Sequence, residues 1–353
     1  MSSLLIKNGR VFDGTRFISG DVLIQNGIVA KIAPQIPEKA DRIYDATGMT
    51  VLPGLVDVHL HMNGISSPAW SIDAETGCYP FGVTAAADAS ASNADEAYQQ
   101  QLGIKNGVFV ITGTKEPFSF DKALQRLDRY GSRVLGIKVC YDSKFDPQLT
   151  DEKKLVAIRD FAHDRGLPLK VHTAHSPVSM DTLLTVLFAG DIATHVFHPG
   201  PNSAAEDSFA CLQKAKERGI FLDSCICAGE HVDFEIYRQA IEAGVYPDLI
   251  GTDLADEIAH RSGGYGLTVC MSVARVLGMP EEDIFRAVTA NAGKALRRPW
   301  GSLAERKPAD VALLQWCEEP IDLTDHRGNR LTSKEGYRCR LTVADGNIVY
   351  EDL

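Results

Sequence analysis

The stretch Val51-Leu52-Pro53-Gly54-Leu55-Val56-Asp57-Val58-His59-Leu60-His61 decides how the chain is read. It is an apolar run of strand character that closes on two histidines one residue apart. Side chains alternate faces along a strand, so His59 and His61 share one side and Leu60 takes the other. Asp57 falls on the histidine side, where a supporting role is open. Two imidazoles on one face at the end of a strand can share a metal ion.

Seven further apolar runs follow: Val83–Asp88, Val108–Ile111, Val134–Val139, Leu169–His172, Ala193–Phe197, Ile220–Asp223 and Leu249–Asp253. Helix-length segments with apolar residues at helical spacing lie between them, among them 151–165, 205–218 and 233–243, and 281–296 reads as a final helix behind Pro280. Strands alternating with helices imply a parallel sheet with crossovers, and eight such units fit a distorted (β/α)8 TIM barrel within the α/β class. A doubly wound sheet is the alternative, but no GxGxxG follows the first strand. The two ends differ from the middle. Asn8-Gly9, Asn26-Gly27 and Asp345-Gly346 each sit between apolar runs and read as hairpin turns. Residues 1–50 and 305–353 are therefore expected to pair as one small β-sandwich domain around a barrel of residues 51–304.

The ends of the runs carry the chemistry. Lys138 closes the fourth run, His172 the fifth, His195 follows Thr194 in the sixth, and Asp253 ends the eighth. In a barrel these ends converge on one face, where such folds place their active sites. Neutral imidazoles suit zinc and similar ions, and an aspartate can bind metal and take a proton from water. Lys138 fits a metal site if burial lowers its pKa and the neutral amine captures carbon dioxide, since the carbamate is an anion able to bridge two metals. An ion pair inside the barrel is the plainer reading.

The stretches LPGLVDVHLH, GVTAAADAS, GIKV, VHTAH, THVFHP, GTD, TANAGKAL and GSLAERKPADVALL, in this order, resemble the amidohydrolase superfamily, in its dihydroorotase/hydantoinase-like branch. The resemblance covers essentially the whole chain. It implies a barrel with a sandwich built from both termini and a two-metal site. His59, His61 and Asp253 would hold one ion and His172 and His195 the other. Lys138, as N6-carboxylysine, would bridge them, and Asp253 would be the catalytic base. The implied cofactors are two divalent ions, zinc first, with manganese, iron and cobalt as options, and carbon dioxide for the lysine. The implied reaction is hydrolysis of an amide, imide or N-acyl C–N bond by a metal-activated hydroxide. Ester cleavage and deamination of a ring amidine are alternatives, and a non-catalytic scaffold is the reading from another class.

Some positions depart from the resemblance. Cys140 stands where that group often has arginine, which weakens the case for a carboxylate-bearing substrate. The run Asp223–His231 replaces one rich in glycine and histidine. Asn63, Cys140, His175, His198 and His231 are the candidate substrate contacts, and Asn202 and His260 lie on loops near them. Cys225 and Cys227 read as core, Asp88 as a residue that orients a neighbour, and His163 and His326 as surface.

Composition bounds the partners. With 36 Lys+Arg against 47 Asp+Glu, the net charge is -11, and no basic stripe offsets it, so nucleic acid is not expected. No secretory or membrane-spanning segment is read, and eight sparse cysteines without a CxxC pair suit reduced thiols in the cytoplasm. A small molecule is the expected partner, with a homo-oligomer left open.

Overall fold

The computed structural model describes residues 3–62, 71–91, 103–113, 117–142, 144–259 and 264–352. Asn63 and His260 lie outside the described residues. Seven parallel strands form one curled sheet, each beside the next in sequence: Leu55–Leu60, Val83–Ala91, Lys105–Ile111, Val134–Cys140, Leu169–His172, Ile192–Thr194 and Phe221–Asp223. The eighth run adds no continuous ladder. It closes the barrel through single bridges, Asp223 with Leu249 and Leu60 with Leu254. The Asp253 amide donates to the His59 carbonyl at 2.7 Å, and the His61 amide to the Leu254 carbonyl at 2.8 Å. The result is a distorted barrel with His59 and His61 on one side of the seam and Asp253 on the other.

The opening run is two strands rather than one. Thr50–Pro53 pairs with Val311–Thr324 and with Arg10–Phe12 in a six-stranded sheet of terminal segments. The barrel starts at Leu55. Gly54 makes the join, where an added Cβ would lie 2.1 Å from Thr84 Oγ1. A second, four-stranded sheet joins Ile28–Ala33, Asp21–Gln25, Leu4–Lys7 and Arg42–Asp45. Val11, Val22, Ile24, Val51, Val311 and Leu341 pack in the core shared by the two sheets.

The hairpin turns at Asn26-Gly27 and Asp345-Gly346 form as read. Asn8-Gly9 does not join a hairpin: Leu4–Lys7 and Arg10–Phe12 belong to different sheets. The chain changes sheets at Gly9, where a Cβ would meet Val51 at 2.7 Å. The helices at 151–165 and 233–243 form as Glu152–His163 and Phe234–Glu242, capped by the side chains of Asp151 and Asp233. The segment 281–296 is two helices, Glu281–Ala287 and Ala290–Ala295. The carbonyl of Val288 accepts from Val56 N at 2.9 Å, so it is taken by the first barrel strand at the break. Residues 205–218 also break, at Ser208 and Phe209, both left-handed. Among the described residues, no helix is long and apolar enough to cross a membrane.

Candidate metal centre

The barrel brings His59, His61, Lys138, His172, His195 and Asp253 together, each of them buried. Three imidazole Nε2 atoms converge on one carboxylate. His59 Nε2 lies 3.1 Å and His61 Nε2 3.0 Å from Asp253 Oδ1, and His195 Nε2 lies 3.8 Å from Oδ2. Lys138 Nζ is 3.4 Å from His59 Nε2. The rings of His172 and His195 are 4.5 Å apart. Asp253 and His195 both have left-handed backbones, with φ of 60° and 65°. Non-glycine residues in that region are uncommon and point to a functional constraint.

The far side of each ring decides what Nε2 can do. Thr194 Oγ1 donates its one proton to Asp223 Oδ2 at 2.8 Å. It must therefore accept from His59 Nδ1, 3.1 Å away. His195 Nδ1 lies 2.7 Å from the Cys225 carbonyl, which can only accept. Both neutral rings thus carry the proton on Nδ1 and turn an Nε2 lone pair toward the Asp253 carboxylate. Lone pair against carboxylate is repulsive unless a cation stands between them. His61 Nδ1 lies 2.9 Å from Ser90 Oγ, and Asp88 holds the Ser90 amide at 3.0 Å and the Met62 amide at 2.9 Å. Asp88 is thus an orienting residue.

The protonation states agree with that cation. Burial, then Lys138 and Lys170, lowers the His59 imidazole to about 4. Burial also holds His172 and His195 well below the usual range. Burial would raise Asp253, and its carboxyl stays well below the ordinary value only if positive charge stands on the Nε2 side of His59 and His61, the place a cation would take. Neutral nitrogen donors around a carboxylate form the ligand set of a divalent ion. His172 Nε2 is buried with no hydrogen-bond partner, an unused donor at the same place.

Beneath the cluster lies a layer that the sequence reading did not assign. Lys170 is fully buried, donates to the Val58 carbonyl at 2.8 Å and sits 3.6 Å from Asp223. Burial lowers its ammonium to about 8, against the pull of Asp223. Asp57 accepts from Thr252 Oγ1 at 2.6 Å and from the His59 amide at 3.0 Å, which is the supporting role left open for it. The signal for Lys170 was present: two residues before His172, it shares its inward face. Its partner Asp223 sits two strands away, beyond what spacing shows.

The remaining candidates scatter. His231 joins the cluster, its ring 4.5 Å from that of His195. His175 is partly exposed and lies 3.6 Å from Asp142. His198 is buried, with Nδ1 2.9 Å from the Pro199 carbonyl and no partner on Nε2. Cys140 ends its strand half-buried, and Asn202 donates to the Ser176 carbonyl, a loop-shaping bond. The Cys225 thiol lies within 4.8 Å of donor atoms of His59, His195 and Asp253, so it borders the centre as well as the core.

The buried imidazoles give a pH prediction. Burial sets His59 and His198 at about 4, below the ordinary 6.5, and also holds His172 and His195 well below it. The unfolded chain takes up these protons near 6.5 while the fold refuses them, so stability falls as pH drops from there toward 4. Asp57, pushed by burial up to about 7, opposes this, because its folded form keeps a proton that the unfolded chain loses. His175 and His231, also lowered by burial, act in the same direction as the other four, so one carboxyl stands against six imidazoles. The urea midpoint of metal-free protein is expected to fall from pH 6.5 to 4; a flat midpoint would mean the imidazoles are already charged in the fold.

The model for the amidohydrolase family matches residues 50–331. The chain belongs to the amidohydrolase family. A deacetylase from Enterococcus faecalis is 26% identical over 98% of each chain. A dihydroorotase from Anaeromyxobacter dehalogenans is 24% identical over 99% of this chain and 98% of its own. Among solved structures, a dihydroorotase superposes with a TM-score of 0.87 at 22% identity, over 99% of this chain and 98% of its own. This amidohydrolase lies in the dihydroorotase/hydantoinase-like branch, and its fold is that of the solved relative.

Proposed function

We propose that this amidohydrolase is a metal-dependent hydrolase that cleaves an amide, imide or N-acyl C–N bond of a small molecule. The observation that carries the reading is the pair of Nε2 lone pairs, from His59 and His195, aimed at the buried Asp253 carboxylate. His59, His61 and Asp253 would hold one divalent ion, and His172 and His195 a second. Lys138, after reaction with carbon dioxide, would supply an anion between them. Zinc suits this nitrogen and oxygen set best, with manganese, iron and cobalt as alternatives. When bound, such ions polarise the scissile carbonyl and bring the pKa of a water toward ~7.

The chain's own groups do the rest. Asp253, held ionised, takes the proton of the attacking water and passes it to the leaving nitrogen. Thr194 and the Cys225 carbonyl hold His59 and His195 in the tautomer that leaves Nε2 free. Cys140, His175 and His198 would contact the substrate. No disulfide joins any of the eight cysteines, in keeping with a cytoplasmic enzyme.

The test is reconstitution of purified protein with zinc and bicarbonate, followed by elemental analysis and a screen of N-acyl amino acids, cyclic imides, acyl esters and purines. Two bound ions and turnover of a C–N substrate are expected. Protein that binds no metal under these conditions would sink the reading and favour the scaffold.

A further inference from the structure

The loop after the seventh barrel strand is strained and clamped. Cys225, Cys227 and Ala228 take positive φ of 34°, 49° and 49°, a costly run for residues with side chains. Such strain persists only where the surroundings over-determine the backbone. Here the surroundings come from the other end of the chain. The strands Val311–Thr324 and Arg330–Ala344 form a long hairpin whose tip docks on this loop.

The tip holds both sides of His231. His326 Nδ1 donates to the Glu230 carbonyl at 2.9 Å, and the His326 amide donates to the Val232 carbonyl at 3.2 Å. Asp325 Oδ2 accepts from the Phe234 amide at 3.0 Å, and Arg327 Nε lies 2.9 Å from Asp233 Oδ2. The Asp325 carboxylate also folds the tip itself, accepting from the amides of Arg327 at 2.9 Å and Asn329 at 2.8 Å. The fit is close: a Cβ on Gly229 would come within 2.0 Å of the Thr324 carbonyl oxygen.

What the clamp presents is an imidazole. The His231 ring lies 4.5 Å from the His195 ring and 5.1 Å from the His172 ring. One nitrogen from each of the three falls within 4.8 Å of the others. His231 Nε2 is 3.8 Å from Asp253 Oδ2. His172 Nε2 and His231 Nδ1 are both buried without a hydrogen-bond partner. Buried, unpaired nitrogens are rare: His172 Nε2 is one within this triad, and no hydrogen bond within the protein holds the His231 ring by Nδ1, so that ring is available to a ligand on its Asp253 side. Three imidazoles are a common ligand set for zinc.

We propose that His231 is a further ligand of the second metal ion, beside His172 and His195, and that the hairpin tip at 325–329 positions it. The inference rests on the two-metal reading above. It makes the C-terminal hairpin part of the metal centre: His326 touches no reacting group and acts only through the loop it holds.

The experiment is zinc titration of the metal-free full-length protein by calorimetry, in bicarbonate, for the wild type, His231→Gln, His231→Asn, His326→Ala and the double variant His231→Gln/His326→Ala. The melting temperature of each metal-free variant serves as the folding control. Loss of a ligand, or of the group that orients it, is expected to weaken the second zinc by at least ~10-fold and leave the first unchanged. His326→Ala should weaken the same site less and add nothing to His231→Gln, because its effect runs through that imidazole. A merely structural role for the tip would add in the double variant. If the wild type binds two ions and the folded His231 variants bind both with unchanged affinity, the inference fails and the two-metal reading stands. If the wild type binds none, both fail.

Discussion

Asp253→Asn should lower turnover by ~10³-fold or more on the best substrate, at the upper end of what a general acid–base contributes because the anion of the metal centre is lost with the base. The substitution suits the site. Asp253 has a φ of 60°, and asparagine is among the few residues that adopt this region readily. Its amide keeps the 2.7 Å bond to the His59 carbonyl. The variant therefore tests charge and basicity, whereas alanine would add backbone strain. The side-chain amide can also donate to the lone pair of His59 Nε2, 3.1 Å from Oδ1 in the native protein. The metal-free variant is therefore expected to melt no lower than metal-free wild type while binding less zinc. Full turnover with both ions retained would remove Asp253 from the role of base.

That such a test can be designed from one residue reflects what was legible in the chain. A strand's period of two is strict, so the ends of apolar runs pointed to His59, His61, Lys138, His172, His195 and Asp253 without any knowledge of their neighbours. The same rule misread the opening run as one strand. Gly54 turns the chain between two sheets with no break in apolar character, and composition does not record a change of direction. The Asn8-Gly9 turn failed for a related reason, since the dipeptide allows a tight turn without saying which strand is to be paired. The final helix failed at Val288, whose carbonyl is claimed by Val56, more than two hundred residues earlier. Contacts of that kind also hid the supports of the site. Thr194, Asp223 and Lys170 meet only once three adjacent strands are in register. His326, read as surface, is indeed exposed, yet it fixes the carbonyls on both sides of His231.

Lys138→Met should remove both ions and lower turnover by ~10³-fold or more, since the charge stabilisation supplied by such ions is several kcal/mol and each ~1.4 kcal/mol is a factor of ten. The argument starts from where the amine sits. Lys138 is 2% exposed, and its Nζ lies 3.4 Å from His59 Nε2. As an ammonium it would fill the space a cation needs and repel any ion placed there. As a carbamate it would add a second anion to Asp253 and complete the set of donors. Methionine keeps the length and the apolar stem and cannot react with carbon dioxide, so packing is conserved while the anion is lost. The two states differ in an observable beyond activity. Wild-type protein reconstituted with zinc in carbon-dioxide-free buffer is expected to bind fewer ions than in bicarbonate. Labelled bicarbonate should give a carbamate carbon resonance in the wild type that is absent from Lys138→Met. Wild-type protein that loads two ions equally well without carbon dioxide would leave Lys138 as an unmodified amine and remove it from the set of ligands.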